Sequence, residues 1–156
     1  MNEEATASIR IDRTILVVDD DSAVRLLCRA NLEEYGLRVL EASDGEEALQ
    51  AVHRDMPDAI LLDVMMPRLS GWEVAAALLN DRATDEVPII FISALGGVNE
   101  RMRAFELGAV GYVTKPFDPG LLGPTVMGVL DQIERGERSA LIAEKLEALQ
   151  AEIATG

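Results

Sequence analysis

Short apolar, β-branched runs alternate with segments of helical period along this chain, and that alternation limits the fold more than any other feature. TILVVDD (14–20) is apolar and ends abruptly in acids. From Ser22 to Tyr35 the apolar residues Val24, Leu27, Cys28, Leu32 and Tyr35 recur at helical spacing, and Gly36 stops the helix. LRVLEA (37–42) reads as a second strand, after which Ser43-Asp44-Gly45 opens a helix through about Arg54. DAILLD (58–63) is a third strand, followed by a Pro-containing loop and a helix from about Gly71 to Asn80. VPIIFIS (87–93) is a fourth strand, with a helix from about Val98 to Leu107 behind it. AVGYVT (109–114) is a fifth, ended by Lys115-Pro116. A last helix runs to about Glu134, its start obscured by Pro119, Gly120, Gly123 and Pro124.

Strands this apolar are buried on both faces, which suits a parallel sheet covered by helices. Regular βα alternation with right-handed crossovers gives a (βα)5 doubly wound α/β fold. Ligands of such sheets bind beyond the carboxyl ends of the strands. There the sequence puts Asp19, Asp20 and Asp21 after the first strand, Asp63 after the third, Ser93 after the fourth, and Thr114 and Lys115 after the fifth. Clustered carboxylates repel one another unless a cation is present. Hard oxygen ligands with open positions suit Mg²⁺. A carboxylate beside Mg²⁺ and a Lys can attack phosphorus, because the cations neutralise charge developing on the phosphoryl oxygens. The residues therefore suggest an aspartyl phosphate, although Asp63 taken alone reads equally well as a helix N-cap. Asp21 is expected to cap the first helix or lie at the site's rim.

The blocks VVDDD, LLDVMMPRLSGWEV, FISA and GYVTKPF resemble the signature motifs of response-regulator receiver domains, in that family's order and spacing, over roughly residues 14–134. The resemblance implies a flavodoxin-like, five-stranded parallel sheet of order 2-1-3-4-5. It implies that Asp63 is the phosphoacceptor and that Asp19, Asp20, Asp63 and the backbone carbonyl of Met65 hold Mg²⁺. Ser93 would take the hydroxyl switch position, Tyr112 the aromatic switch position, and Lys115 would pair with a phosphoryl oxygen. Pro116 follows Lys115 as the family expects, often through a cis peptide bond. The implied donor is a sensor histidine kinase or phosphotransfer protein, and the implied output is a changed surface of helix four, strand five and helix five, read by an unknown downstream protein.

Charge excludes other roles. Residues 14–134 carry 21 acids against 9 bases, which disfavours direct nucleic-acid binding. Lys115 is the one Lys among those bases, which makes its position after a strand worth weighing. The single Cys28 excludes an intrachain disulfide framework and fits a reducing cytoplasm. No apolar run is long enough for a membrane span, and the first residues lack a secretory signal. His53 lacks the setting of a phosphodonor helix, Gly71 reads as a turn residue with no chemical role, and Trp72 reads as packing.

Residues 1–13 are expected to be a flexible segment and 135–156 a helical extension. Ile142, Leu146, Leu149 and Ile153 follow one another at steps of 4, 3 and 4, a heptad-like seam. Either one long helix or two helices hinged at Gly136 would fit. The stripe points to a homodimer, with packing on the chain's own domain and linkage to an output domain as the alternatives. Other functions remain in view: a phosphorylation-independent dimeric scaffold, an Asp-nucleophile Mg²⁺ phosphatase and a flavodoxin-like cofactor binder. The phosphatase needs a general acid two residues after Asp63, where Met65 stands; the cofactor binder would face acids at its first turn.

Overall fold

The computed structural model describes residues 12–155, so most of the expected N-terminal segment, 1–11, lies outside the described residues. Five strands, β1 (Thr14–Val18), β2 (Arg38–Ala42), β3 (Ala59–Asp63), β4 (Ile89–Ser93) and β5 (Gly111–Thr114), form one sheet of order β2-β1-β3-β4-β5. Every pairing is parallel. The connecting helices are α1 (Ser22–Glu33), α2 (Gly45–Asp55), α3 (Gly71–Leu79), α4 (Val98–Glu106) and α5 (Pro119–Glu134), and α6 (Arg138–Thr155) follows. The fold is the doubly wound sheet expected from the sequence.

The central strands β3 and β4 are buried along their whole length, and their side chains feed two cores, one on each face of the sheet. One core joins Leu16, Ile60, Leu62 and Phe91 to Val52 of α2 and to Val74 and Leu78 of α3. The other joins Ile15, Val17, Leu61, Ile90 and Ile92 to Cys28 and Leu32 of α1 and to Leu122 and Val126 of α5. This strict alternation fixes the register, because a one-residue slip would exchange the two cores.

The starts of α1, α2, α3 and α5 are set by side-chain caps. Asp21 accepts from the Ala23 N–H and Asp44 from the Glu47 N–H. Ser70 and Glu73 form a reciprocal capping box at α3. Asp118 caps α5 by accepting from the Gly120 N–H, with Pro119 at the first position, where its missing N–H costs nothing. This resolves the start of α5. Of its crowded glycines, Gly123 is needed for packing: a Cβ there would collide with the Tyr35 ring.

The placement of Arg13 and the buried stripe of the tail differ from the sequence reading. Arg13, assigned to the flexible segment, is buried; its guanidinium pairs with Asp131 at 2.8 Å and Glu134 at 2.7 Å, and its carbonyl accepts from the Arg38 N–H. Of the two expectations for the tail, the structure has the pair of helices hinged at Gly136, whose φ of +78° favours glycine. After that turn α6 runs back and packs on α4 of its own domain. Its buried residues are Leu141 and Leu149, not the full stripe Ile142, Leu146, Leu149 and Ile153; Ile153 is 48% exposed. The reason is geometric: positions 141, 145 and 149 follow a ridge of i+4 steps across α4, whereas the 4-3-4 seam tracks a straight coiled coil. Each buried Leu contributes about 1.5–3 kcal/mol to holding the tail.

Candidate functional site

The carboxyl ends of β1, β3, β4 and β5 bring Asp19, Asp63, Ser93 and Lys115 to one rim. Asp63 is the last residue of β3 and Ser93 the last of β4, and both are buried. The Lys115 N–H donates to the Ser93 carbonyl at 2.7 Å, which ties the end of β5 to the end of β4. The Lys115 ammonium donates to Asp19 Oδ2 at 2.8 Å and lies 3.6 Å from Asp63 Oδ1. Carboxylate oxygens of Asp19, Asp20 and Asp63 lie within 4.8 Å of one another. Asp19 and Asp63 are buried, whereas Asp20 is exposed and opens the cluster to solvent. The Lys115–Pro116 peptide is cis.

The electrostatics follow from this crowding. Burial, reinforced by the Asp19 charge, pushes the Asp63 carboxyl up to about 6, against the opposing pull of Lys115 and of the Met65 N–H, which donates to Asp63 Oδ1 at 3.2 Å. Burial alone would lower the Lys115 ammonium, but its hydrogen bond to Asp19 and the charges of Asp19 and Asp63 raise it overall. One cation thus faces three carboxylates. All the donors are hard oxygens, and one is solvent-accessible, so the residues fit a small divalent cation such as Mg²⁺.

Asp21 accepts from Ala23, as a cap, and its own N–H donates to Asp19 Oδ1 at 2.9 Å. Tyr112 lies on β5, half-buried, with its hydroxyl donating to the Leu95 carbonyl. The Ser93 hydroxyl accepts from the Leu95 N–H at 3.0 Å. Met65 and Leu95, each two residues beyond Asp63 and Ser93, are exposed. The Trp72 ring packs tilted against Phe91, centroids 4.8 Å apart, and the Arg103 guanidinium lies 4.3 Å over it, so it packs as expected. Cys28 is buried, and burial pushes its thiol up to about 12, which excludes it as a nucleophile. His53 hydrogen-bonds Asp81 at 2.8 Å on the surface of α2, away from the rim.

Sequence reasoning missed one site residue and misread another. Arg25 donates to the Asp19 carbonyl at 2.7 Å and to Glu41 at 3.0 Å, bracing the acid-bearing loop; nothing distinguishes it from an ordinary helix-surface Arg. Gly71 is the other, and its role needs correcting. Its importance is close approach, not a turn. A Cβ on Gly71 would collide with the Asp63 carbonyl oxygen, and its N–H donates to the Val64 carbonyl at 2.8 Å. Gly71→Ala should therefore displace the backbone that aims Asp63, at a cost of about 1–3 kcal/mol. A thermal melt unchanged from wild type would contradict this.

A cavity of about 390 Å³ lies at the opposite end of the strands, lined by Met56, Asp58, Arg82, Glu86 and Ile133 among others, and shares no residue with the acidic cluster. The cluster is an open rim, suited to a group presented by a macromolecule rather than to an engulfed small substrate.

The model of the response regulator receiver domain matches residues 15–126. Response regulator MprA of Mycobacterium leprae is 50% identical over 104 residues, covering 66% of this chain and 44% of that protein. The phosphate regulon transcriptional regulatory protein PhoB of Pseudomonas aeruginosa is 37% identical, covering 85% and 58%. The chemotaxis response regulator CheY4 of Vibrio cholerae superposes with a TM-score of 0.70 at 30% identity, covering 75% of this chain and 98% of that one. The receiver domain of Francisella response regulator 1452 gives 0.72 at 30%, covering 78% and 98%. The chain belongs to the response regulator receiver domain family, and with it to two-component signalling. It spans about half the length of the curated relatives it matches. Among the described residues no helix is long and apolar enough to cross a membrane.

Proposed function

We propose that the chain is a phosphorylation-dependent switch that accepts a phosphoryl group on Asp63. The observation that carries this reading is the buried Asp63 carboxylate grouped with Asp19 and Asp20 and faced by Lys115 at the strand ends. The donor is a phosphohistidine on a sensor histidine kinase or phosphotransfer protein. An Asp63 carboxylate oxygen attacks phosphorus; the new O–P bond forms as the P–N bond to the imidazole breaks, and that nitrogen leaves with the electron pair. Lys115 exchanges part of its pairing with Asp19 for a phosphoryl oxygen. Ser93, already at the end of β4, donates its hydroxyl to another. Asp19, Asp20, Asp63 and the Met65 carbonyl would hold Mg²⁺, which supplies positive charge against the phosphoryl oxygens. Displacement of Ser93 and its loop alters the partner of the Tyr112 hydroxyl, and so the surface of α4, β5 and α5 that a downstream protein reads.

Met65 offers no carboxyl as general acid, which favours a switch over a phosphatase. A homodimer built on the tail stripe has weaker support, because Leu149 is committed to the chain's own fold. A cytoplasmic setting fits the protonated, buried Cys28.

The test is incubation with acetyl phosphate and Mg²⁺. One hydroxylamine-labile phosphoryl group should map to Asp63 by peptide mass spectrometry, and chelation of the metal should prevent it. No adduct, or an adduct on another residue, would refute the assignment.

A further inference from the structure

One side chain of α4, Arg101, bonds both the tail helix and the loop that follows Ser93. α6 starts at the lower end of the sheet, where Arg138 donates to the Glu86 carbonyl at 2.6 Å, and climbs along α4 towards the acidic rim. Near its upper end Glu152 accepts from Arg101 of α4 at 2.8 Å. Arg101 also donates, through Nε, to the Gly96 carbonyl at 3.1 Å. Gly96 lies in the short loop between Ser93 and α4, and that loop is tightly seated: a Cβ on Gly96 would meet Thr114 Cγ2 at 2.5 Å. Other ties in this loop are the Leu95 N–H to Ser93 and the Leu95 carbonyl to Tyr112. Arg101 therefore holds the loop with one edge of its guanidinium and the tail with the other. Below it, a groove of about 260 Å³ between α4, β5, α5 and α6 is lined by Phe105, Tyr112, Val129 and Leu149 among others.

We propose that α6 is an intramolecular latch, docked on α4 while Asp63 is unmodified and released when the loop after Ser93 moves towards a phosphoryl group. This rests on Asp63 being the acceptor. In the docked state the tail covers part of the α4–β5–α5 surface. Movement of the Gly96 carbonyl breaks the shared geometry at Arg101, so Glu152 loses its partner and the groove beside Tyr112 opens. Coupling between two sites is reciprocal: whatever factor modification of Asp63 costs tail docking, loosening the tail must return to binding at Asp63.

The experiment uses the full chain, with beryllofluoride and Mg²⁺ as a non-covalent phosphoryl mimic. Hydrogen exchange of amides 138–155 should accelerate at saturating beryllofluoride by about fivefold or more, the lower end of ordinary coupling. Glu152→Arg, at an exposed position, should undock the tail and tighten beryllofluoride binding by a similar factor. Leu149→Ser should do the same without touching Arg101. The charge swap Arg101→Glu with Glu152→Arg should restore tail protection, yet leave it insensitive to beryllofluoride, because the carboxylate that replaces the Arg101 guanidinium cannot donate to Gly96. Unchanged exchange in saturated wild type, or wild-type affinity in a variant whose tail has come loose, would overturn the latch. Failure of wild type to bind beryllofluoride at all would instead overturn the acceptor site on which it rests.

Discussion

Asp63→Asn should lose acyl-phosphate labelling completely and, in metal-free buffer, gain stability. The loss follows because an amide has no carboxylate oxygen to attack phosphorus. The gain follows from linkage. The Asp63 carboxyl titrates at about 6 in the folded chain against 3.8 ordinarily. Between those values the folded state retains a proton that the unfolded chain releases, so this group's contribution to stability falls as pH rises and is fully unfavourable above about 6. The full shift corresponds to about 3 kcal/mol as an upper figure. Asn keeps the shape and the acceptor for the Met65 N–H without the buried charge. Denaturant melts should show a gain for the variant that is already present at about pH 5, between the two values, and is about twice as large at about pH 8. A variant that is less stable at both would mean that the carboxylate is favourably held.

Lys115→Met should act in the opposite direction. It leaves Asp19 and Asp63, 1% and 3% exposed, without their cation. Removing one partner of a buried ion pair strands the other charge, at about 3–5 kcal/mol when burial is complete. The Lys115 side chain is 22% exposed, so about 2–4 kcal/mol is expected here. The loss should shrink below about pH 6 as Asp63 takes up a proton, and added Mg²⁺ should recover part of it. Combining Lys115→Met with Asp63→Asn should cost clearly less than the sum of the two effects taken singly, because the charge left unpaired by one change is removed by the other. Strict additivity in denaturant melts would mean that Lys115 and Asp63 do not interact.

The sheet was legible because β1, β3, β4 and β5 are apolar runs closed by acids, a hydroxyl or Lys, and the rim was legible because those closures converge in a doubly wound topology. What stayed hidden depends on distance in three dimensions. Gly71 follows a Pro-containing loop, and a glycine there looks the same whether it turns the chain or clears space for the Asp63 carbonyl. Arg25 reaches a backbone carbonyl six residues earlier in a manner that no helical period signals. In the tail, Leu141 and Ile142 are adjacent and both apolar, so the sequence permits two stripes. The left-handed turn at Gly136 selects the one that faces α4. Arg13 looked like linker because its two acidic partners lie at the far end of α5.

The strand order leaves two edges, and they are protected differently. An outermost strand offers unpaired N–H and C=O groups to any extended chain that comes alongside. β2 carries exposed Arg38 and Glu41, and Glu41 is gripped by Arg25 and Arg29, so ionic side chains guard that flank. β5, reading Gly-Tyr-Val-Thr, has no charge of its own, and α6 lies across the groove beside it. A tail that lifts from α4 opens that groove and leaves the strand beside it without a charged guard. An uncharged edge of this kind invites strand addition by another chain, in which main-chain hydrogen bonds supply the affinity.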